Sequence, residues 1–192
     1  MASAKLVVNG SVVTSPARLS QYSYDALGRL KHVVAPDPDG PGAGVPLHTW
    51  YSHDVSGNVV STVAKTGAGV ELRRIRTFYD KLDRPYRVVD DSPGISDHPE
   101  SQTAYNVDGT VKLQKVKNDN DDDAGADGWV TTEYGYDNLG RVHTTTTEDD
   151  ADEAHGDGKV TVTTWYDAAG SPTKIKDVFG LKTFNYYDEA GL

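Results

Sequence analysis

Cysteine is absent and methionine occurs once, at Met1. No disulfide framework, thiol nucleophile or thiolate metal site can therefore be built. Positive charge is scarce: 19 Lys and Arg stand against 29 Asp and Glu, giving a net charge of -10. With a pI near 4.9, the chain lacks the basic footprint that nucleic acid requires, so nucleic acid is not an expected partner. Long apolar runs are missing too. No segment approaches a membrane span, and the N-terminus has no signal-peptide core. Hydrophobic residues make up 36% of the chain and the mean hydropathy is -0.57. That is low for a single-core globule and suits an open sheet with a wet face.

Catalytic patterns are also lacking. His32, His48, His53, His98, His143 and His155 are scattered without zinc-ligand spacing, and no Gly-x-Ser-x-Gly elbow occurs. Paired carboxylates fall in loops, where spacing alone does not make a general acid and base. The chain is not expected to be an enzyme.

What the chain does contain is a repeat. Tyr136-Asp137-Asn138-Leu139-Gly140-Arg141-Val142 is its cleanest copy. Others are Tyr24-Asp25-Ala26-Leu27-Gly28-Arg29-Leu30, Tyr166-Asp167-Ala168-Ala169-Gly170 and Tyr187-Asp188-Glu189-Ala190-Gly191. Looser copies begin at His53, Tyr79 and Tyr105. Counting the aromatic as position 1, the second residue is Asp except at Asn106, and the fifth is Gly except at Asp83. Asp followed three residues later by Gly is a turn with a mechanism: the carboxylate accepts from the backbone ahead, and Gly takes the left-handed conformation that closes the loop. Between strands this gives a hairpin with a Gly bulge. Tyr22 with Tyr24, and Tyr134 with Tyr136, alternate onto one face. Leu30, Val59, Val111 and Val142 occupy equivalent seventh positions. Arg29, Arg84 and Arg141 stand at the sixth, within reach of a neighbouring carboxylate.

Seven in-order copies of this unit resemble the RHS/YD-repeat family, whose consensus is Tyr-Asp-x-x-Gly-Arg-Leu. The likeness runs from about residue 18 to 192, and Asp177 to Asp188 resembles that family's tight spacing of turns. In that family the repeats form a β-ribbon that spirals into a hollow shell. Bacterial members enclose a C-terminal toxin with it, and animal members use it in extracellular adhesion. The resemblance implies a secreted or cell-surface protein, with further repeats and a cargo domain of a longer parent chain as partners.

First positions at 24, 53, 79, 105, 136, 166 and 187 are separated by 29, 26, 26, 31, 30 and 21 residues. The variation lies in loops at the opposite strand ends, so insertions map to one edge of the array. All but the Gly67-Ala68-Gly69 loop are acidic. Asn118 to Gly128 places Asp119, Asp121 and Asp123 at alternate positions, a spacing that lets a loop wrap calcium, and Asp37 and Asp39 are similar in kind. Neither loop follows the full EF-hand pattern, and a solvated acidic insertion is the competing reading. Trp50, Trp129 and Trp165 lie on strands entering Tyr-Asp turns, where they serve either packing or glycan stacking.

The expected fold is all-β: an N-terminal hairpin over residues 1–17, turning at Asn9-Gly10, then an antiparallel meander of YD hairpins over 18–192. Its stacked hairpins are expected to bury a Tyr/Val face. The expected role is a structural segment of an RHS-type β-shell. The alternatives are a calcium- or carbohydrate-binding adhesion module, or a subunit that self-associates through open edge strands.

Overall fold

Val, Thr and Tyr dominate the segments between turns, and each Tyr-Asp turn folds the chain back on itself. Consecutive strands therefore pair antiparallel. The computed structural model describes residues 5–8, 11–14, 20–36, 46–95, 98–117, 128–148 and 159–187. Strands β1 (Lys5–Val8) and β2 (Ser11–Thr14) form a two-stranded antiparallel sheet with Val8 opposite Ser11, and so with two residues between them. The Asn9-Gly10 turn itself lies outside the described residues.

The chain divides into two units, Met1–His98 and Pro99–Leu192. In the first, β3 (Gln21–Tyr24), β4 (Leu30–Val34), β5 (Leu47–His53), β6 (Val59–Thr66), β7 (Glu71–Tyr79) and β8 (Pro85–Asp90) pair in chain order. The second repeats the arrangement with β9 (Glu100–Tyr105), β10 (Val111–Lys117), β11 (Trp129–Tyr136), β12 (Val142–Glu148), β13 (Lys159–Tyr166), β14 (Pro172–Lys176) and β15 (Lys182–Phe184). The fold is all-β, an antiparallel meander, with no helix among the described residues. Among the described residues, β3 has only β4 as a strand partner, and β15 only β14.

Among the described residues, six repeat hairpins carry a second irregularity beyond the bulge at the turn. Tyr136 pairs with Val142, yet Gly135 pairs with Thr144, leaving His143 unpaired in the ladder. The same step leaves out Lys31, Val60, Tyr86, Lys112 and Thr173. In these six hairpins position 7 faces position 1 and position 8 is extra, whereas in the β14–β15 hairpin Thr183 pairs with Ile175 and nothing is left out. A bulge of this kind bends the strand and sharpens its right-handed twist. Lysine stands there twice, at Lys31 and Lys112, and the other four residues all differ, so no single residue type marked position 8 in the sequence.

Among the described residues, the Thr66 turn at the opposite edge uses the same device. Thr66 donates its amide to the Val70 carbonyl and accepts from the Gly69 amide, at 2.9 and 2.8 Å. Its hydroxyl accepts from the Val70 amide at 3.2 Å, so Thr stands in for Asp. Leu72 is then the bulged residue, between the pairs Lys65 with Glu71 and Ala64 with Arg73.

Burial is shallow. Among the described residues Val89 is the one buried apolar side chain, at 5% exposure, and Ser92 and Thr131 are buried polar ones. The expected burial of a Tyr/Val face is not reached: Tyr22 and Tyr24 are 58% and 61% exposed. Strand hydrogen bonds and the links between repeats therefore carry the order that a core supplies elsewhere.

Candidate functional site

The repeated turn is the structured feature with the densest polar chemistry. Asp137 donates its amide to the Arg141 carbonyl at 2.9 Å, and its own carbonyl accepts from Gly140 at 3.0 Å. Its Oδ1 accepts from the amides of Leu139 and Arg141, at 2.9 and 3.0 Å. Oδ2 accepts from Arg141 Nε at 2.7 Å. Asp25 with Arg29 and Asp80 with Arg84 reproduce this arrangement. The Asp25 and Asp137 carboxyls lie below the usual aspartate value, chiefly through the backbone amide of the sixth-position Arg. For Asp80 the leading cause is the Arg84 side chain. Gly28, Gly140 and Gly170 all take positive φ, as does Asp83 at 58° where the loop has no glycine.

Sixth-position side chains also link one repeat to the next. Arg29 Nη1 donates to the Asp54 carbonyl at 2.9 Å, and Arg141 Nη1 to the Asp167 carbonyl at 2.8 Å. The guanidinium of Arg141 also lies 4.7 Å from the centre of the Tyr166 ring. These arginines thus bind their own repeat's carboxylate and the next repeat's backbone, not the neighbouring carboxylate that the sequence suggested. Asn58 does make that contact, donating to Asp54 Oδ2 at 3.1 Å and to Asp83 Oδ1 of the next repeat at 2.7 Å.

First-position tyrosines reach the other way. Tyr79 donates its hydroxyl to the Val59 carbonyl, Tyr136 to Val111, Tyr166 to Val142 and Tyr187 to Pro172, at 3.1, 2.7, 2.8 and 2.9 Å. In each case the acceptor is the seventh position of the preceding repeat. Sequence reasoning named the four tyrosines and three of the acceptors, Val59, Val111 and Val142, but not the link. Tyr24, at the free edge, has no preceding repeat among the described residues. Tyr166, Asp167 and Gly170 form the same turn with Ser171 in place of Arg, Asp167 Oδ1 accepting from the Ser171 amide at 2.9 Å.

The expected calcium ligands Asp37, Asp39, Asp119, Asp121 and Asp123 lie outside the described residues, as do Asp188 and Gly191. Among the described residues no group of three or more His, Asp or Glu is placed to hold a metal. Two of the three tryptophans expected to serve packing or glycan stacking have close neighbours. Trp50 stacks on His32 with ring centres 4.3 Å apart, and Lys174 Nζ sits 3.5 Å over the Trp165 ring. A hollow of about 580 Å³ in the first unit is lined by Ser61, Arg74, Arg76, Phe78 and Tyr86. Its arginines are already paired, Arg74 with Glu71 and Arg76 with Asp91.

Fold and ladder together define a class: a meandering β-repeat protein whose repeats are tied to one another by side chains. No family model matches the chain, and no curated protein does. Among solved structures it is similar to TcdB2-TccC3 without its hypervariable C-terminal region, with 15% identity and a TM-score of 0.47. It is also similar to TcdB2-TccC3-TEV, with 16% identity and a TM-score of 0.37. In both, 97% of this chain is covered but only 11% and 12% of the other. The chain thus spans about a ninth of their length, and the likeness is too distant to carry function.

Proposed function

We propose that this chain is a structural repeat segment, a wall element of an RHS-type β-shell that is secreted or displayed at a cell surface and does no catalysis. The observation that carries this reading is where the recurring polar side chains of the repeats are directed. Position 1 donates to the preceding repeat in Tyr79, Tyr136, Tyr166 and Tyr187. Position 6 donates to the following repeat in Arg29, Asn58 and Arg141. Such side chains hold neighbours in register, as a quasi-one-dimensional array needs where each unit touches only the next. The partners in this reading are more repeats of the same kind and a cargo domain in a longer parent chain.

Protease protection tests it. In a parent chain carrying these repeats, the domain they enclose resists digestion, and combining Tyr136→Phe, Tyr166→Phe and Arg141→Gln makes it digestible. A downstream domain cut equally fast with intact and weakened repeats overturns the wall reading.

A further inference from the structure

His32 on β4 and His48 on β5 belong to successive repeats, and the register of β4 and β5 brings them together. That ladder has three registered pairs, His32 with Trp50, Val33 with Thr49 and Val34 with His48. It is the shortest of the β3–β8 ladders. His32 Nε2 lies 3.0 Å from His48 Nδ1, with ring centres 5.1 Å apart and planes inclined by 28°. The Trp50 indole stacks on both rings, inclined by 18° to each, at 4.3 and 5.3 Å.

At that separation one ring nitrogen donates a proton and the other accepts it. The contact therefore requires at least one neutral imidazole. The charged surroundings do not favour a second proton. Lys65 reaches across from β6 to within 5.7 Å of the Trp50 ring centre. Its Nζ is 3.7 Å from Glu71 on β7, which also holds Arg74 at 2.8 Å. From β3, the residues opposite His32 and Val34 are the uncharged Ser23 and Gln21. Among the described residues neither imidazole has a carboxylate partner, and no third ligand joins them to form a metal set.

We propose that His32 and His48 form an acid-released clasp between the first two repeats, closed by one shared proton and opened by a second. When both rings are charged, both are donors, the hydrogen bond is lost, and like charges face each other at the shortest ladder of the unit. The β4–β5 junction then frays before the others. This inference stands independently of the wall reading.

The direction of titration agrees. His32 is held below its ordinary value of 6.5 by lost hydration and by the neighbouring His48. A folded value below the unfolded one means that the contribution is complete above the unfolded value. It is lost as pH falls through 6.5 toward the lowered folded value.

Ring resonances of the intact chain, followed by NMR from about pH 8 to about pH 4.5, test the clasp. Coupled rings take up protons in two steps about one unit or more apart. The melting temperature of the wild type is expected to fall more across that range than that of His48→Gln, which has no second proton to accept. Both rings titrating together near 6.5, or the two proteins losing the same stability, would overturn the proposal. If His48→Gln does not fold, the wild-type titration decides alone.

Discussion

The Tyr136 hydroxyl donates to the Val111 carbonyl at 2.7 Å, bridging 25 residues of sequence and one repeat boundary. Tyr166 makes the same bond to Val142 at 2.8 Å. Removing either hydroxyl leaves a partly buried carbonyl without its donor. Tyr136→Phe and Tyr166→Phe are each expected to cost about 1 kcal/mol in urea unfolding. Tyr22→Phe, at a 58% exposed edge residue, should stay within about 0.5 kcal/mol of wild type. Equal losses at all three positions would mean that the hydroxyls do not link repeats.

Gly140 and Gly135 separate backbone strain from crowding. Gly140 has a φ of 76° with open space where a Cβ would stand, so Gly140→Ala tests conformation alone. The expected loss is about 1 kcal/mol. At Gly135 φ is ordinary, but a Cβ would collide with the Thr144 hydroxyl on β12. Gly135→Ala is expected to recover when combined with Thr144→Ala, while Gly140→Ala is not. Thermal melts of the four variants check this.

The turn carboxylates set the acid limb of stability. Asp25, Asp80 and Asp137 all have folded values below the ordinary aspartate value of 3.8. Their contribution is therefore full above the unfolded value and is lost as pH falls through the folded one. Asp137→Asn should reduce stability at pH 7 and converge on wild type as pH falls through the lowered folded value. Parallel stability curves across that range would exclude a charged role for Asp137.

Thr66 performs the Asp role at the opposite edge, accepting from the Val70 amide at 3.2 Å. Thr66→Val is expected to cost about 0.5 kcal/mol, at the low end for a hydrogen bond because the amide is open to water. Hydrogen exchange at Val70 should quicken in the variant, and an unchanged rate would show the hydroxyl to be idle.

Much of this architecture was legible because turns are local. Asp137 and Gly140 name a loop by their own chemistry, and the pairing of Tyr136 with Val142 follows from its length. The Gly67-Ala68-Gly69 loop was legible, but the part played by Thr66 was not, because Thr accepts hydrogen bonds as Asp does without matching the repeat pattern. His32 and His48 escaped for another reason. They are 16 residues apart, and only the β4–β5 register makes them neighbours. The targets of the Tyr hydroxyls were likewise hidden, since they depend on which carbonyl the preceding hairpin presents.

The bulge at position 8 has a consequence for how such a chain can change over generations. Lys31, Val60, Tyr86, Lys112, His143 and Thr173 hold that place in six repeats, and they are basic, aliphatic, aromatic and hydroxylic in turn. The ladder asks nothing of this residue except that it be present, because the extra residue in a bulge is unpaired. The ladder thus leaves this letter open while the spelling around it is held, although His143 and Thr173 add bonds of their own to the Thr164 and Trp165 carbonyls. Variation would collect there in regular steps along the array, so that related chains could differ in surface chemistry while keeping the same backbone.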